Sequence, residues 1–358
     1  MAFVQWPAAM RVGKRGLTVA AIAALAAAVP CIEPATQAVG APETYRLAIV
    51  QGGFSTVGGI AIGSDGTRYV LDGGDGTVTA IAPNGTLTQL ADANTVIPAT
   101  NATAASTLHA AMPLGIAVDA DDDVYVAIPG TNAGTGLIVK IAGGIATVVA
   151  GGGSTTPTTT PATATTLELN GPRGLAIDAD GNLYIADTDD AVVTELDTSG
   201  EMSVIAGGGA TALAGGASAS TNIPATDAVL SSPMSLAVDA DGDLYIADEF
   251  GGLVEKVSGS SLSVIAGGGA TALLGSDTAT TGIMATDAAL AWPDGIGVDD
   301  SGDVYVADDL NELIVKIDQT TGTLDVVTGL TSGQIGLRTT TIGTAIIRPR
   351  NYRNLSYD

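Results

Sequence analysis

The chain has 358 residues, with 38 acidic against 13 basic side chains and a formal charge of −25. Such a field repels phosphate backbones and anionic membrane surfaces, which excludes nucleic acid as an expected partner, while cations, a salty medium or a basic partner suit it. A single cysteine and a single histidine supply neither a disulfide framework nor a histidine-based zinc centre.

The N-terminus carries Arg11, Lys14 and Arg15, followed by an uninterrupted apolar run from Leu17 to Val29. That run is shorter than the roughly 20 residues a membrane span needs and has the length of a signal-peptide core. Cleavage is expected after Ala38, leaving a chain from Val39 with no membrane span, secreted or held in the periplasm or cell envelope. Cys31 would instead mark a lipoprotein, but Pro30 stands where a small, flexible residue is wanted. After it, Thr44 to Val50 reads as a lone strand.

From Gly58 one phrase recurs: GGIAIGSDGTRYVLD, then LGIAVDADDDVYVAI from Leu114, RGLAIDADGNLYIAD from Arg173, MSLAVDADGDLYIAD from Met234 and DGIGVDDSGDVYVAD from Asp294. In the third copy, Gly174 to Asp178 and Leu183 to Ala186 are continuous apolar runs joined by an Asp/Gly turn, the pattern of strands covered on both faces. Ala191 to Leu196 mixes valines with Thr194 and Glu195 as a less buried third strand, and Met202 to Ala206 makes a fourth. The fourth copy repeats this with Leu253 to Val257 and Leu262 to Ala266. Four strands per repeat, the first two most apolar, describe a propeller blade that needs its neighbours to bury its faces.

The run P-x-G-L-A-I-D-A-D-G-N-L-Y-I-A-D at Pro172 to Asp187, with a valine strand and a closing V-I-A-G-G-G, resembles the bacterial NHL repeat. The connectors PATATTLELNGP, NIPATDAVLSSP and IMATDAALAWP resemble those of secreted bacterial NHL proteins. The resemblance covers roughly residues 55 to 330 and implies an all-β propeller, usually of six blades. This sequence departs at both ends. Val57 replaces the repeat proline and Gly63 the aspartate in copy one, and only Arg350 to Asp358 follow Pro349, where a sixth copy should start. Five complete repeats plus a partial sixth are expected, with six blades favoured and five as the alternative.

The residue after the repeat proline stands near the mouth of the central channel: Gly58, Leu114, Arg173, Met234 and Asp294. Propeller lyases resembling this fold rely on histidines that this chain lacks there, since His109 lies in a connector. Calcium-dependent hydrolases would need several converging oxygen ligands, and the column offers only Asp294, with Arg173 as a counter-ion. Calcium at the channel is thus the remaining cofactor candidate, and no cofactor or metal ligand is assigned. The D-A-D-G-D turn at Asp239 to Asp243 starts like a calcium loop, but position twelve is Phe250, so its Asp and Gly are read as turn residues. Tyr69, Tyr125, Tyr184, Tyr245 and Tyr305 form one column, read as blade packing rather than a ligand ring. Asp72, Asp187, Asp248 and Asp308 end the second strands and are read as acceptors of N–H groups from the following turn.

The connectors at 151–171, 207–232 and 267–292 exceed 20 residues and are rich in Ala, Thr, Gly and Ser. Loops of that length tend to be functional or disordered; the Ser154 to Thr166 stretch is read as solvated, and shortening the 207–232 connector is expected to cost little stability. They should share a face with the second-to-third strand loops, which places Asp189, Asp190, Glu249 and Asp309 beside Arg173 and Asp294 as candidate binding residues. The expected function is a monomeric, non-catalytic platform for a protein, small-molecule or carbohydrate ligand. The alternatives are a metal-dependent hydrolase or lyase acting at the channel, and a detached sensor domain.

Overall fold

The computed structural model describes residues 57–274 apart from 93, 99 and 101–105, together with 281–329, 337–339 and 347–349. The 1–38 segment, Cys31, the Thr44 to Val50 strand and Arg350 to Asp358 lie outside the described residues.

Five antiparallel meanders follow one another. The first comprises β1 (Val57–Ile62), β2 (Arg68–Asp72), β3 (Thr77–Ile81) and β4 (Leu87–Ala91), followed by a small ladder of β5 (Val96–Ile97) and β6 (Ser106–Thr107). The second is β7 (Gly115–Val118), β8 (Val124–Ile128), β9 (Leu137–Ala142) and β10 (Ile145–Gly151). In the third, β11 (Ala162–Thr163) precedes β12 (Pro172–Ile177), β13 (Leu183–Asp187), β14 (Val192–Leu196) and β15 (Glu201–Gly207). After β16 (Thr211–Ala212), the fourth holds β17 (Ile223–Pro224), β19 (Pro233–Val238), β20 (Leu244–Asp248), β21 (Leu253–Ser258) and β22 (Ser261–Gly267), while β18 (Ala228–Val229) pairs with β16. The fifth is β23 (Ile283–Met284), β24 (Pro293–Val298), β25 (Val304–Asp308), β26 (Leu313–Asp318) and β27 (Thr323–Gly329), and a hairpin of β28 (Leu337–Thr339) and β29 (Ile347–Pro349) follows.

The first strands pack in series, β1 on β7, β7 on β12, β12 on β19 and β19 on β24, so they line the middle while the later strands lie outward. Their backbones approach so closely that the residue after each variable position must be small. A Cβ at Gly115 would collide with the Arg173 carbonyl, and one at Gly174 would lie 2.8 Å from the Met234 carbonyl oxygen. Ser235 takes this place in the fourth blade, where its Oγ accepts the Ile296 N–H across the seam at 3.3 Å.

Seams between blades are built from unequal faces. Ala186, Val193 and Ala206 on one blade receive Leu244, Ile246 and Leu262 of the next, and the other three seams repeat the arrangement. Strand alternation produces this directly, because four of the second strands place their Tyr and Ala on one face and their larger aliphatics on the other, Leu71 standing for the Ala in β2.

The preference for six blades is corrected: the described residues form five. Pro349, which should begin a sixth innermost strand, instead ends β29 opposite Leu337. Leu87 on the first blade is 48 % exposed, whereas Met202, Leu262 and Leu324 at the same register are fully buried by a preceding blade.

The connectors are a second correction. Each descends the outer edge of the blade that follows it, adds a fifth strand and turns through a 3-10 segment into the seam. β11 pairs with β15, β17 with β22 and β23 with β27. Ala164, Leu167 and Leu169 are buried in one connector, Ala225, Ala228 and Leu230 in the next, and Ala285, Ala288 and Leu290 in the third. These nine Ala and Leu side chains are core residues, while the threonines of Ser154 to Thr166 remain mostly solvated.

Candidate functional site

The two ends of each blade do different work. At one end, the turns between first and second strands are closed by Asp119, Asp178, Asp239 and Asp299. The Oδ1 of Asp239, for example, accepts the N–H groups of Asp241 at 3.0 Å and Asp243 at 2.9 Å. The remaining oxygens meet the tyrosine column: Tyr125, Tyr184 and Tyr245 donate to Asp119, Asp178 and Asp239 at 3.2, 3.1 and 2.9 Å. In the first blade, where Gly63 replaces the aspartate, Tyr69 reaches the next blade's Asp122 at 2.7 Å.

A cation completes this arrangement in three blades. Lys140, Lys256 and Lys316 lie 5.1, 5.1 and 5.7 Å from the ring centroids of Tyr125, Tyr245 and Tyr305. They pair with Asp123, Asp243 and Asp303 at 2.9, 2.7 and 2.9 Å. Glu195 takes the lysine's place opposite Tyr184, and burial together with the Asp178 charge raises its pKa. The tyrosines thus pack and anchor turns. Tyr245→Ala is expected to lower stability by about 3–5 kcal/mol, as aromatic truncation in a packed core does, read from denaturant midpoints.

At the opposite end, the second-to-third strand loops are hydrogen-bonded to the connector ends. Asp189 N–H donates to the Asn170 carbonyl at 3.0 Å, Glu249 N–H to Ser232 at 3.0 Å, and Asp309 N–H to Trp292 at 3.1 Å. The two sets of segments therefore share a face, as the topology of a meander requires. Beneath them lie the strand-ending aspartates, all almost fully buried. Three of these also hold the preceding connector, a partner that the sequence expectation of turn N–H groups did not include. Asp187 accepts Asn170 N–H at 2.6 Å, Asp248 accepts Ser231 and Ser232 at 2.8 and 2.6 Å, and Asp308 accepts Ala291 at 2.7 Å. Asp72 uses the turn that follows it, through Gly74 and Asp75, and Asp248 and Asp308 also draw on theirs, through Gly251 N–H and the Asn311 side-chain amide. Burial raises the Asp187 carboxyl to about 8 and that of Asp308 to about 6.

Among the candidate binding residues, Asp189 and Asp190 are exposed and Glu249 is half-buried. Asp309 is not a surface residue, being 6 % exposed: the bonds from its N–H to Trp292 and from Glu312 N–H to its carbonyl fold the loop inward. Arg173 and Asp294 are half-buried on β12 and β24, with β19 between those strands. One carboxylate and one guanidinium do not match the oxygen-rich shell of calcium. Among the described residues no group of three or more His, Cys, Asp or Glu side chains is placed to hold a metal ion.

Sequence reasoning missed two aromatic residues on this face. Phe250 is 66 % exposed and Trp292 37 %, and their rings meet with centroids 6.0 Å apart at 59°. Trp292 holds φ +59°, and Gly171 occupies the same place in the third blade at φ +66°. A bulky residue in the left-handed region is a strained choice. The signal was compositional: between residues 57 and 329 these are the only Phe and Trp, so the blades pack without either type.

Residues 49–258, more than half of the chain, match the family model described as the Teneurin NHL domain. No curated protein sequence matches the chain. Among solved structures, a gluconolactonase from Xanthomonas campestris is similar at 16% identity and a TM-score of 0.50, over 84% of this chain and 85% of that one. A protein of unknown function from Bacteroides thetaiotaomicron is similar at 18% identity and a TM-score of 0.53, over 77% of this chain and 60% of that one. A virginiamycin B lyase from Staphylococcus aureus gives 13% identity and a TM-score of 0.45, over 80% and 73%. At such identities the likeness concerns the fold alone.

Proposed function

We propose that this chain, which belongs to the Teneurin NHL domain family, is a non-catalytic binding platform whose partner meets the face formed by the connector ends and the second-to-third strand loops. The observation that carries the reading is the fixing of that face from below: buried Asp187, Asp248 and Asp308 hold the connector ends, and the acidic loops bond to those same ends. Loops ordered in this way meet a partner with little left to immobilise, which favours binding. At the opposite end Asp119, Asp178 and Asp239 are spent on turns and tyrosines, although Asp180 and Asp241 remain exposed there.

The inner strands give weaker support to the alternative, a metal-dependent hydrolase or lyase, because Asp294 has few companion oxygens there. Two measurements separate these readings. Proteins retained by the wild-type chain should be lost from Asp189→Asn/Asp190→Asn/Glu249→Gln and kept by Asp180→Asn/Asp241→Asn on the other end. The reverse pattern would place binding at the wrong face. One tightly held calcium or zinc ion per chain, released by Asp294→Ala, would establish the enzymatic reading instead.

A further inference from the structure

We propose that Phe250, Trp292 and Leu310 form a docking patch for an arginine-bearing, basic segment of a protein partner. The inference rests on the platform reading above and names the chemistry that the face would take.

The patch straddles two blades. Phe250 lies in the loop after β20, Trp292 ends the connector into β24, and Leu310, 47 % exposed, lies in the loop after β25. Leu310 N–H donates to the Ala291 carbonyl at 3.1 Å and Asp309 N–H to that of Trp292, so the loop and the connector end hold together. The Gly171 comparison shows that a glycine suits the backbone at this place, yet the sequence puts its largest side chain there and leaves it exposed. An exposed aromatic pair on a strained backbone, in blades that otherwise pack without Phe or Trp, is economical only if the rings have work at the surface.

Charge chooses the occupant. No Lys or Arg occurs in the connectors 151–171, 207–232 and 267–292, nor in the loops 188–190, 249–252 and 309–312. Glu249 and Glu312 flank Phe250 and Leu310 on their loops, within a chain of charge −25. The combination of ring face and carboxylate already holds a cation elsewhere in this molecule, as Lys140, Lys256 and Lys316 show over their tyrosines beside aspartates. At Phe250 and Trp292 the cation would come from outside. A guanidinium fits better than an ammonium, being planar, weakly hydrated and able to stack on a ring while bonding a carboxylate. A neutral glycan would gain nothing from the acidic field, and rings tilted at 59° offer no flat platform for a sugar.

The full chain carrying Trp6→Phe has Trp292 as its only tryptophan, so its fluorescence reports the patch. Titrations would use a synthetic arginine-leucine peptide, its lysine and glutamate counterparts, and cellohexaose. The arginine peptide is expected to perturb Trp292 saturably, to bind more tightly than the lysine peptide and to weaken as salt rises. By calorimetry, Phe250→Ala and Trp292→Gly should each weaken it about tenfold or more. Trp292→Gly should melt no lower than the parent, because glycine suits φ +59°; lost binding at retained stability then reads the ring rather than the fold. Unchanged affinity in both variants would overturn the patch. If Asp189→Asn/Asp190→Asn abolished binding instead, the patch would fall while the platform face stood. Response to cellohexaose alone, or to no probe, would overturn the arginine assignment and leave the retained-protein test of the face untouched.

Discussion

Replacing the 207–232 connector by a link of about six residues is expected to abolish cooperative folding, although chain statistics alone would forecast a mild effect. Loop-closure entropy changes by only about 0.6 kcal/mol per doubling of length, so a connector that merely spanned two blades could be trimmed freely. This one fills the seam between the third and fourth blades. Ala225, Ala228 and Leu230 are 1 %, 0 % and 3 % exposed, Ile223–Pro224 pairs with the outer strand β22, and Val264 N–H donates to the Ser220 carbonyl at 2.8 Å. Removal would also take away the Ser231 and Ser232 N–H groups that hold Asp248, leaving a buried carboxyl without those donors. Leu230→Ala alone should cost about 2–5 kcal/mol. The whole excision adds the lost strand, the opened seam and the acid stripped of two donors, a sum comparable to the total stability of about 5–15 kcal/mol that domains possess. Circular dichroism through a thermal or urea transition would decide: a shortened chain that melts cooperatively within a few degrees of its parent would show the connector to be a dispensable loop after all.

That correction marks where the sequence stops being legible. The blade strands could be read to within about two residues because their apolar runs are continuous and their turns carry Asp and Gly at fixed offsets, as at Leu183 to Asp187 and Asp178 to Asn182. The connectors could not. Their apolar residues are alanines, leucines and a few isoleucines spaced among Thr, Gly and Ser, and such a pattern has neither the twofold nor the 3.6-residue period that announces an element. What fixes them is contact with neighbouring blades and with the strand-ending aspartates, which single-sequence reasoning sees only as the end of a strand. The same limit applied to the face. Asp189, Asp190 and Glu249 were legible as charged loop residues, but which acid a loop turns outward is not set by local pattern: Asp189, Glu249 and Asp309 all bond the preceding connector through their N–H groups, yet Asp189 is exposed and Asp309 buried. Phe250 and Trp292 are 42 positions apart, so their contact could not be read from local pattern at all.

Stability is expected to fall as pH rises from about 4 towards 8, and Glu255 should carry the steepest part of the loss. Glu255 lies on β21 opposite Ile246, on the face that packs against the third blade. It is 0 % exposed, and neither Oε1 nor Oε2 has a hydrogen-bond partner. Thr194 takes the same register in the third blade and is also enclosed without a partner for its Oγ1, which shows that this position tolerates an unsatisfied polar atom but offers it nothing. Burial drives the Glu255 pKa well above its ordinary value, and the charge of Asp248 on the same face pushes in the same direction. Asp187 and Asp308, at about 8 and about 6, and Asp248, also raised by burial, add to the trend. Each of these acids keeps its proton in the folded chain at a pH where the unfolded chain has released it. The folded state then binds more protons, and stability, complete below the unfolded carboxylate range near 4, is lost as pH climbs through each folded pKa, at about 1.4 kcal/mol per pH unit for each group within its window. Connector N–H bonds favour the ionised form of Asp187, Asp248 and Asp308 and soften their share; Glu255 has no such help. Glu255→Met, similar in volume and without a charge to bury, should therefore raise stability at pH 8 by about 1–4 kcal/mol and change it little at pH 4. Urea midpoints for the parent and the variant at both pH values measure this directly. Equal gains at the two pH values would mean that packing rather than ionisation sets the effect, and a parent chain whose stability rises between pH 4 and 8 would show that its buried acids find partners when folded.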